Sequence, residues 1–339
     1  MASKVTIGKP VLALIMAAFL VAGIVIGYYY AVFTIPKPTG LEPVRIGYLI
    51  ADVHQSPFFI AYKEGWYQEE GIAPVKWEYM NGALEMEGLI AGEIDAGYAG
   101  CTPVMAAASK GAEIVILASS NKEGSAIVAK PGINNVTELN GMRVGTPGIG
   151  TIQDILLGMV EEKFDITVTH VDYTGAVSML PIDLESGVID AFIAWEVFCA
   201  DAVVRGIGNV IYTSHDILPD HQCCVLWVSK KLYDERPDVV KDLVRVHVRA
   251  LKYIQENSTG AQEIVASATG RTLAVVQNAW PRMTWGYHVN TESMITFCNV
   301  MIATGKISPE DVPDANAFVM GLVNESVLNT VLSEMGISA

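Results

Sequence analysis

Two stretches of the sequence echo each other, and this limits the fold more than any other feature. Arg45-Ile46-Gly47 precedes Gly92-Glu93-Ile94-Asp95-Ala96, and Arg143-Val144-Gly145 precedes Gly187-Val188-Ile189-Asp190-Ala191. The first members lie 98 residues apart (45 to 143) and the second members 95 (92 to 187). Each pair stands among short β-rich runs that alternate with amphipathic helical ones. Alternation of that kind reads as α/β with a largely parallel sheet, and its duplication predicts two similar α/β lobes. A single doubly wound domain is the other arrangement open to such a pattern. Two extended crossings, 125–130 (SAIVAK) and 223–229 (CCVLWVS), favour two lobes with a cleft between them.

Along the chain, 44–49 (VRIGYL) is the first predicted strand. Ser56-Pro57 then opens a helix, with a capping residue followed by proline at the first helical position, and that helix is expected to run to Gly71. Thr102-Pro103 repeats the signal. Beyond Pro237 the pattern is helical at 239–256, 260–268, 272–280, 291–304 and 317–335. The expected division is a first lobe at 44–128, a second at 129–222, and a return to the first lobe with C-terminal helices at 223–339.

The N-terminus is of another character. Residues 11–33 carry no charge over 23 positions, enough for a helix of roughly 35 Å to cross a bilayer core. Lys4 and Lys9 precede the span, so the positive-inside rule leaves everything after Phe33 outside the cytoplasm. The span length favours a retained anchor over a cleaved signal, whose apolar core is typically only about 7–15 residues. Residues 34–43 (TIPKPTGLEP) read as a stiff tether. The net charge is −15; the first 33 residues hold two lysines and no acid, leaving 20 − 37 = −17 for the rest. A domain so acidic is unsuited to nucleic-acid backbones.

No catalytic signature is present: there is no GxSxG, HExxH or Walker A sequence, so the chain reads as a binder rather than an enzyme, with no cofactor implied. The five cysteines (101, 199, 223, 224 and 298) show no CxxC spacing and are read as neither a disulfide framework nor a zinc site. In open α/β sheets ligands gather beyond the carboxyl ends of the strands, where helix N-termini present free N–H groups. This places four loops at the cleft: 51–56 (ADVHQS), 98–103 (YAGCTP), 146–153 (TPGIGTIQ) and 195–198 (WEVF). Candidate ligand contacts are His54, Tyr98, Gly100, Cys101, Thr102, Gly148, Gly150, Thr151, Trp195 and Glu196. The glycines let backbone approach a ligand and equally serve a tight turn; Thr151 caps a helix in either case. Trp195 is expected to be an apolar wall, and Glu196 the acceptor for a ligand amine or amide.

The runs 91–103 (AGEIDAGYAGCTP), 139–157 (LNGMRVGTPGIGTIQDILL) and 186–202 (SGVIDAFIAWEVFCADA) together resemble the substrate-binding proteins of ABC importers for nitrate, sulfonates, taurine and bicarbonate, a group that includes binders and synthases of a thiamine pyrimidine precursor. The resemblance implies a type II periplasmic-binding-protein fold that closes over a small solute and presents it to a membrane permease driven by an ATPase. It places the binding turns at Tyr98 to Thr102, Gly148 to Thr151 and Trp195-Glu196. Where sulfonate binders usually have Trp-Asp-Pro, this sequence has Trp195-Glu196-Val197. The reading is therefore an anchored, extracytoplasmic receptor for a sulfonate-like or zwitterionic solute. The alternatives are a pyrimidine binder or enzyme of the same fold, and a sensor ectodomain.

Overall fold

The computed structural model describes residues 40–338. The apolar span 11–33 and residues 34–39 of the tether lie outside the described residues, and Glu42 and Pro43 at its far end already belong to the first strand; among the residues described, no helix is long and apolar enough to cross a membrane.

In chain order the strands are β1 (Glu42–Leu49), β2 (Ile72–Tyr79), β3 (Ala96–Gly100), β4 (Ile114–Ser119), β5 (Lys122–Glu123), β6 (Ser125–Ala129), β7 (Arg143–Thr146), β8 (Thr169–Asp172), β9 (Ala191–Trp195), β10 (Asn209–Thr213), β11 (Cys224–Ser229) and β12 (Met283–Thr284). One five-stranded sheet has the order β2-β1-β3-β11-β4 and the other β8-β7-β9-β6-β10. The two agree position by position. β1 pairs in parallel with β2 and β3, as β7 does with β8 and β9. β11 lies antiparallel between β3 and β4, as β6 does between β9 and β10. β5 and β12 form a separate two-stranded ribbon.

The sequence echo now has a physical cause. Midway along β1, the Arg45 backbone N–H and Nε both donate to Asp95 Oδ2, at 3.0 and 2.9 Å, while another guanidinium nitrogen donates to Gly92 O at 2.6 Å. At the start of β7, Arg143 does the same to Asp190 Oδ2, at 3.1 and 3.0 Å, and donates to Gly187 O at 2.9 Å. A planar fork of donors suits this clamp, which ties the turn before each neighbouring parallel strand to its partner. Two glycines of the echo, Gly47 and Gly145, are required by packing. A Cβ on Gly47 would come within 2.8 Å of Ile94, and one on Gly145 within 2.5 Å of Leu180.

The C-terminal helices pack on the first sheet. Pro237–Glu256 is an amphipathic helix that buries Val240, Leu243, Val244, Leu251 and Ile254 in the cluster containing Phe58 and Tyr67. Three details depart from the sequence reading. The chain changes sheet at residues 120–124, so β6 belongs to the second lobe. The helix from Ser56 stops at Lys63, because Gly65 takes a left-handed conformation (φ 75°) before a short turn at Trp66–Glu69. The expected helix 317–335 is two, Ala315–Leu322 and Ser326–Glu334. Between them Val323 pairs with Ile116 on edge strand β4, and Asn324 N–H donates to Ile116 O at 2.9 Å. Pairing with an exposed sheet edge overrides helix propensity there.

Candidate functional site

The two crossings, at 120–124 and 221–223, run side by side and are tied together. Gln222 Nε2 donates to Ser119 Oγ, Asn121 O and Cys224 O at 2.9–3.0 Å, and Asn121 Oδ1 accepts from Cys224 N–H at 3.2 Å. The turn after β1 is tied to the same strap: Ser120 Oγ donates to His54 O at 2.8 Å, and His54 Nε2 donates to Gly124 O at 2.8 Å. A carbonyl can only accept, so Nε2 carries the hydrogen and Nδ1 faces inward.

A cavity of about 20 Å³ sits on this strap between the lobes, room for roughly one water. Asp52, His54, Gly100, Cys223 and Cys224 line it from the first lobe; Thr151, Gln153 and Trp195 line it from the second. Among the described residues, no lysine or arginine takes part. The lobes touch at its rim: Thr102 Oγ1 donates to Gly150 O at 2.9 Å, and Asn81 Nδ2 to Pro147 O at 3.3 Å. This is a closed arrangement.

Of the ten candidate residues, His54, Gly100, Thr151 and Trp195 line the cavity. Thr151 caps helix Ile152–Phe164, accepting from Asp154 N–H, while its hydroxyl donates to Gly148 O at 2.7 Å. The first turn of that helix, the end at which leading N–H groups lack an intrahelical partner, reaches the cavity through Thr151, Ile152 and Gln153. Trp195 is buried, and its Nε1–H has no partner among the described residues. Thr102 and Gly150 make the contact between lobes. Gly148 shapes the turn, where φ is 125° and a Cβ would strike Thr174.

Tyr98, Cys101 and Glu196 lie elsewhere. The Tyr98 ring packs in the first-lobe core and its hydroxyl meets His247 Nδ1 at 3.2 Å. The Cys101 thiol donates to Gln222 O at 3.4 Å. Glu196, expected as a ligand acceptor, is fully buried with both oxygens committed: Oε1 to the Arg282 guanidinium and Oε2 to Ala200 N–H at 2.9 Å. Burial raises its carboxyl above the usual range against the pull of Arg282. The acid at the cavity is Asp52, whose oxygens accept from His54 N–H at 2.9 Å and Gln55 Nε2 at 3.2 Å. Burial pushes its carboxyl up to about 7, and His54 opposes that only in part.

The sequence reading also missed Cys223 and Cys224. The Cys223 sulfur lies 3.4 Å from His54 Nδ1; the Cys224 sulfur lies 4.0 Å from the same nitrogen and 4.0 Å from Cys223. Burial would raise the Cys223 thiol, but the neighbouring Cys224 thiol and the His54 ring outweigh it and hold it well below the ordinary range. Burial would likewise lower the His54 ring, yet Cys223 and Asp52 carry it up to about 9. The signal available in the sequence was the adjacent pair Cys223-Cys224 opening a predicted crossing.

Comparison with known proteins agrees with this architecture. The chain matches the NMT1-like family over residues 37–269, more than two thirds of its length. A protein named as a binding protein in Brucella abortus (strain 2308) is 25% identical over 234 residues, covering 66% of this chain and 70% of the relative. The fold is also that of the ligand-binding component of an ABC-type import system from Staphylococcus aureus, determined with zinc bound (TM-score 0.72, 18% identity, covering 86% of this chain and 99% of that one). The alkanesulfonate-binding protein from Xanthomonas axonopodis pv. citri, bound to MOPS, shares it too (TM-score 0.70, 17% identity, 85% and 99%). These relatives are solute-binding proteins, and their architecture is the α/β periplasmic-binding-protein fold. The chain belongs to the NMT1-like family.

Proposed function

We propose that this protein is the extracytoplasmic solute-binding component of an ABC importer, held at the membrane by residues 11–33, which closes its lobes over a small dipolar solute and delivers it to a permease. The observation that carries the reading is the unpaired, buried indole N–H of Trp195 in a cavity formed jointly by both lobes. A donor left without a partner costs about 1–3 kcal/mol, which a solute acceptor atom recovers. The helix start at Ile152–Phe164 reinforces the second-lobe side of the cavity, and Asp52 offers a donor or cationic group an acceptor on the first-lobe side. Without arginine or lysine in the lining, a zwitterion such as taurine fits better than a bare anion. Its entry requires the lobes to part, since the closed cavity admits only a water-sized group.

Calorimetry on metal-free protein tests this. Taurine is expected to bind more tightly than ethanesulfonate or nitrate, and Trp195→Phe to weaken it about tenfold, the worth of one hydrogen bond to a charged group. Equal affinity for ethanesulfonate would remove Asp52 from the recognition, and an unchanged affinity in Trp195→Phe would remove the indole.

A further inference from the structure

We propose that His54, Cys223 and Cys224 form a site for one thiophilic metal ion of the Zn²⁺ type, with a fourth coordination position open to the cleft. The three donor atoms make a triangle with sides of 3.4, 4.0 and 4.0 Å, all within 4.8 Å of one another. Zinc bound tetrahedrally at about 2.3 Å from sulfur and about 2.05 Å from nitrogen would set sulfurs about 3.8 Å apart and nitrogen about 3.6 Å from each sulfur. Shifts of a few tenths of an ångström therefore convert one triangle into the other.

The surroundings suit coordination as well as the distances do. A ligating histidine ordinarily donates its second ring N–H to a fixed acceptor, which orients the ring and fixes the tautomer. His54 does this to Gly124 O at 2.8 Å, so Nδ1 is the nitrogen that faces the two sulfurs and gives up its proton when a metal binds. Gly124 is necessary for that seat: its φ is 89°, and a Cβ there would lie 2.2 Å from His54 Nε2. Cys224 is held by Asn121 through its backbone N–H. All three ligands are buried, yet all three line the cavity. Two thiolates and one imidazole are a soft donor set, which selects zinc or copper(I) over magnesium or calcium. Two thiolates and Zn²⁺ sum to zero charge, and the open position supplies the electrophilic centre that a lining without lysine or arginine otherwise lacks.

The site shares the cleft of the proposed solute but is tested without one, so either reading can fail alone. The full chain, purified in detergent, reduced and stripped of metal, is titrated with Co²⁺ and then Zn²⁺. The expected result is one equivalent of Co²⁺ giving near-ultraviolet sulfur-to-cobalt charge-transfer absorption, displaced one for one by Zn²⁺. Cys223→Ser and Cys224→Ser are each expected to remove at least half of that intensity, and Cys298→Ala to retain it. A second measurement needs no variant. Zn²⁺ is expected to slow alkylation of Cys223 and Cys224 by iodoacetamide at least tenfold, read by peptide mass spectrometry, while leaving Cys101, Cys199 and Cys298 unaffected. Absence of the charge-transfer band, its survival in the double Cys223/Cys224 serine variant, or alkylation rates insensitive to Zn²⁺ would each overturn the proposal.

Discussion

His247 is buried in the first-lobe core with both ring nitrogens engaged. Nε2–H donates to Ser119 O at 2.8 Å, and Nδ1 accepts from the Tyr98 hydroxyl at 3.2 Å. Burial pushes its pKa down from 6.5 to about 4, only partly offset by the Ser119 carbonyl. The folded state therefore holds the neutral ring. As pH falls below 6.5 the unfolded chain takes up a proton that the folded one refuses, so stability present above 6.5 is lost progressively down to about pH 4. The loss amounts to about 3 kcal/mol for a fully buried ring. Chemical denaturation of wild type and His247→Gln should show a difference in unfolding free energy that narrows by that amount between pH 7 and 4; a difference independent of pH would contradict the assignment. The same residue explains why Tyr98 was misplaced from sequence. Successive side chains on a strand face opposite ways, and all but the last residue of β3 are buried, so no polar alternation indicates which face meets the cleft. Glu196 was misplaced for a different reason: its partner Arg282 lies 86 residues downstream, beyond the reach of any local pattern.

At the level of elements, local chemistry was legible and long-range pairing was not. Thr151 reads as a helix cap from sequence and is one, holding the first turn of Ile152–Phe164. The echo reads as two lobes, and its arginine–aspartate clamps recur in both sheets. The return of 223–229 to the first lobe was legible too; what escaped was that β6 already belongs to the second sheet, because a wholly buried crossing reads the same in either sheet. Glycines separate the two kinds of information. Gly47 and Gly145 sit where any Cβ collides, whereas Gly158, inside Ile152–Phe164, has nothing within 4 Å of a built Cβ and no left-handed φ. Gly158→Ala is expected to raise thermal stability by about 0.5–1 kcal/mol through helix propensity. Gly145→Ala should lower it, and differential scanning calorimetry on the pair would expose any error in this distinction.

For the whole molecule, the hydrogen bond from Thr102 to Gly150 is one of several ties between the lobes, beside Asn81–Pro147, the Lys306–Asp154 ion pair and the shared apolar cluster of Val104, Met105, Ile152 and Ile155, and in the proposed open–closed exchange it favours the closed form. Thr102→Val keeps the shape and removes the donor, leaving Gly150 O without it. A loss of about 1 kcal/mol moves an open–closed balance about fivefold. Small-angle scattering of the solute-free protein should then report a larger radius of gyration than wild type, and an identical profile would show that the bond does not govern closure.

The strand order also fixes a timetable for synthesis. β4 reaches the rest of its sheet only through β11, whose residues are made about a hundred positions later. Until Ser229 has emerged, the first lobe is split, with β3 and β4 each presenting a bare hydrogen-bonding edge. The second sheet has all five of its strands by Thr213. The lobe that begins first is thus the last to be completed, and the newborn chain must keep two unpaired strands apart from its neighbours in the interval.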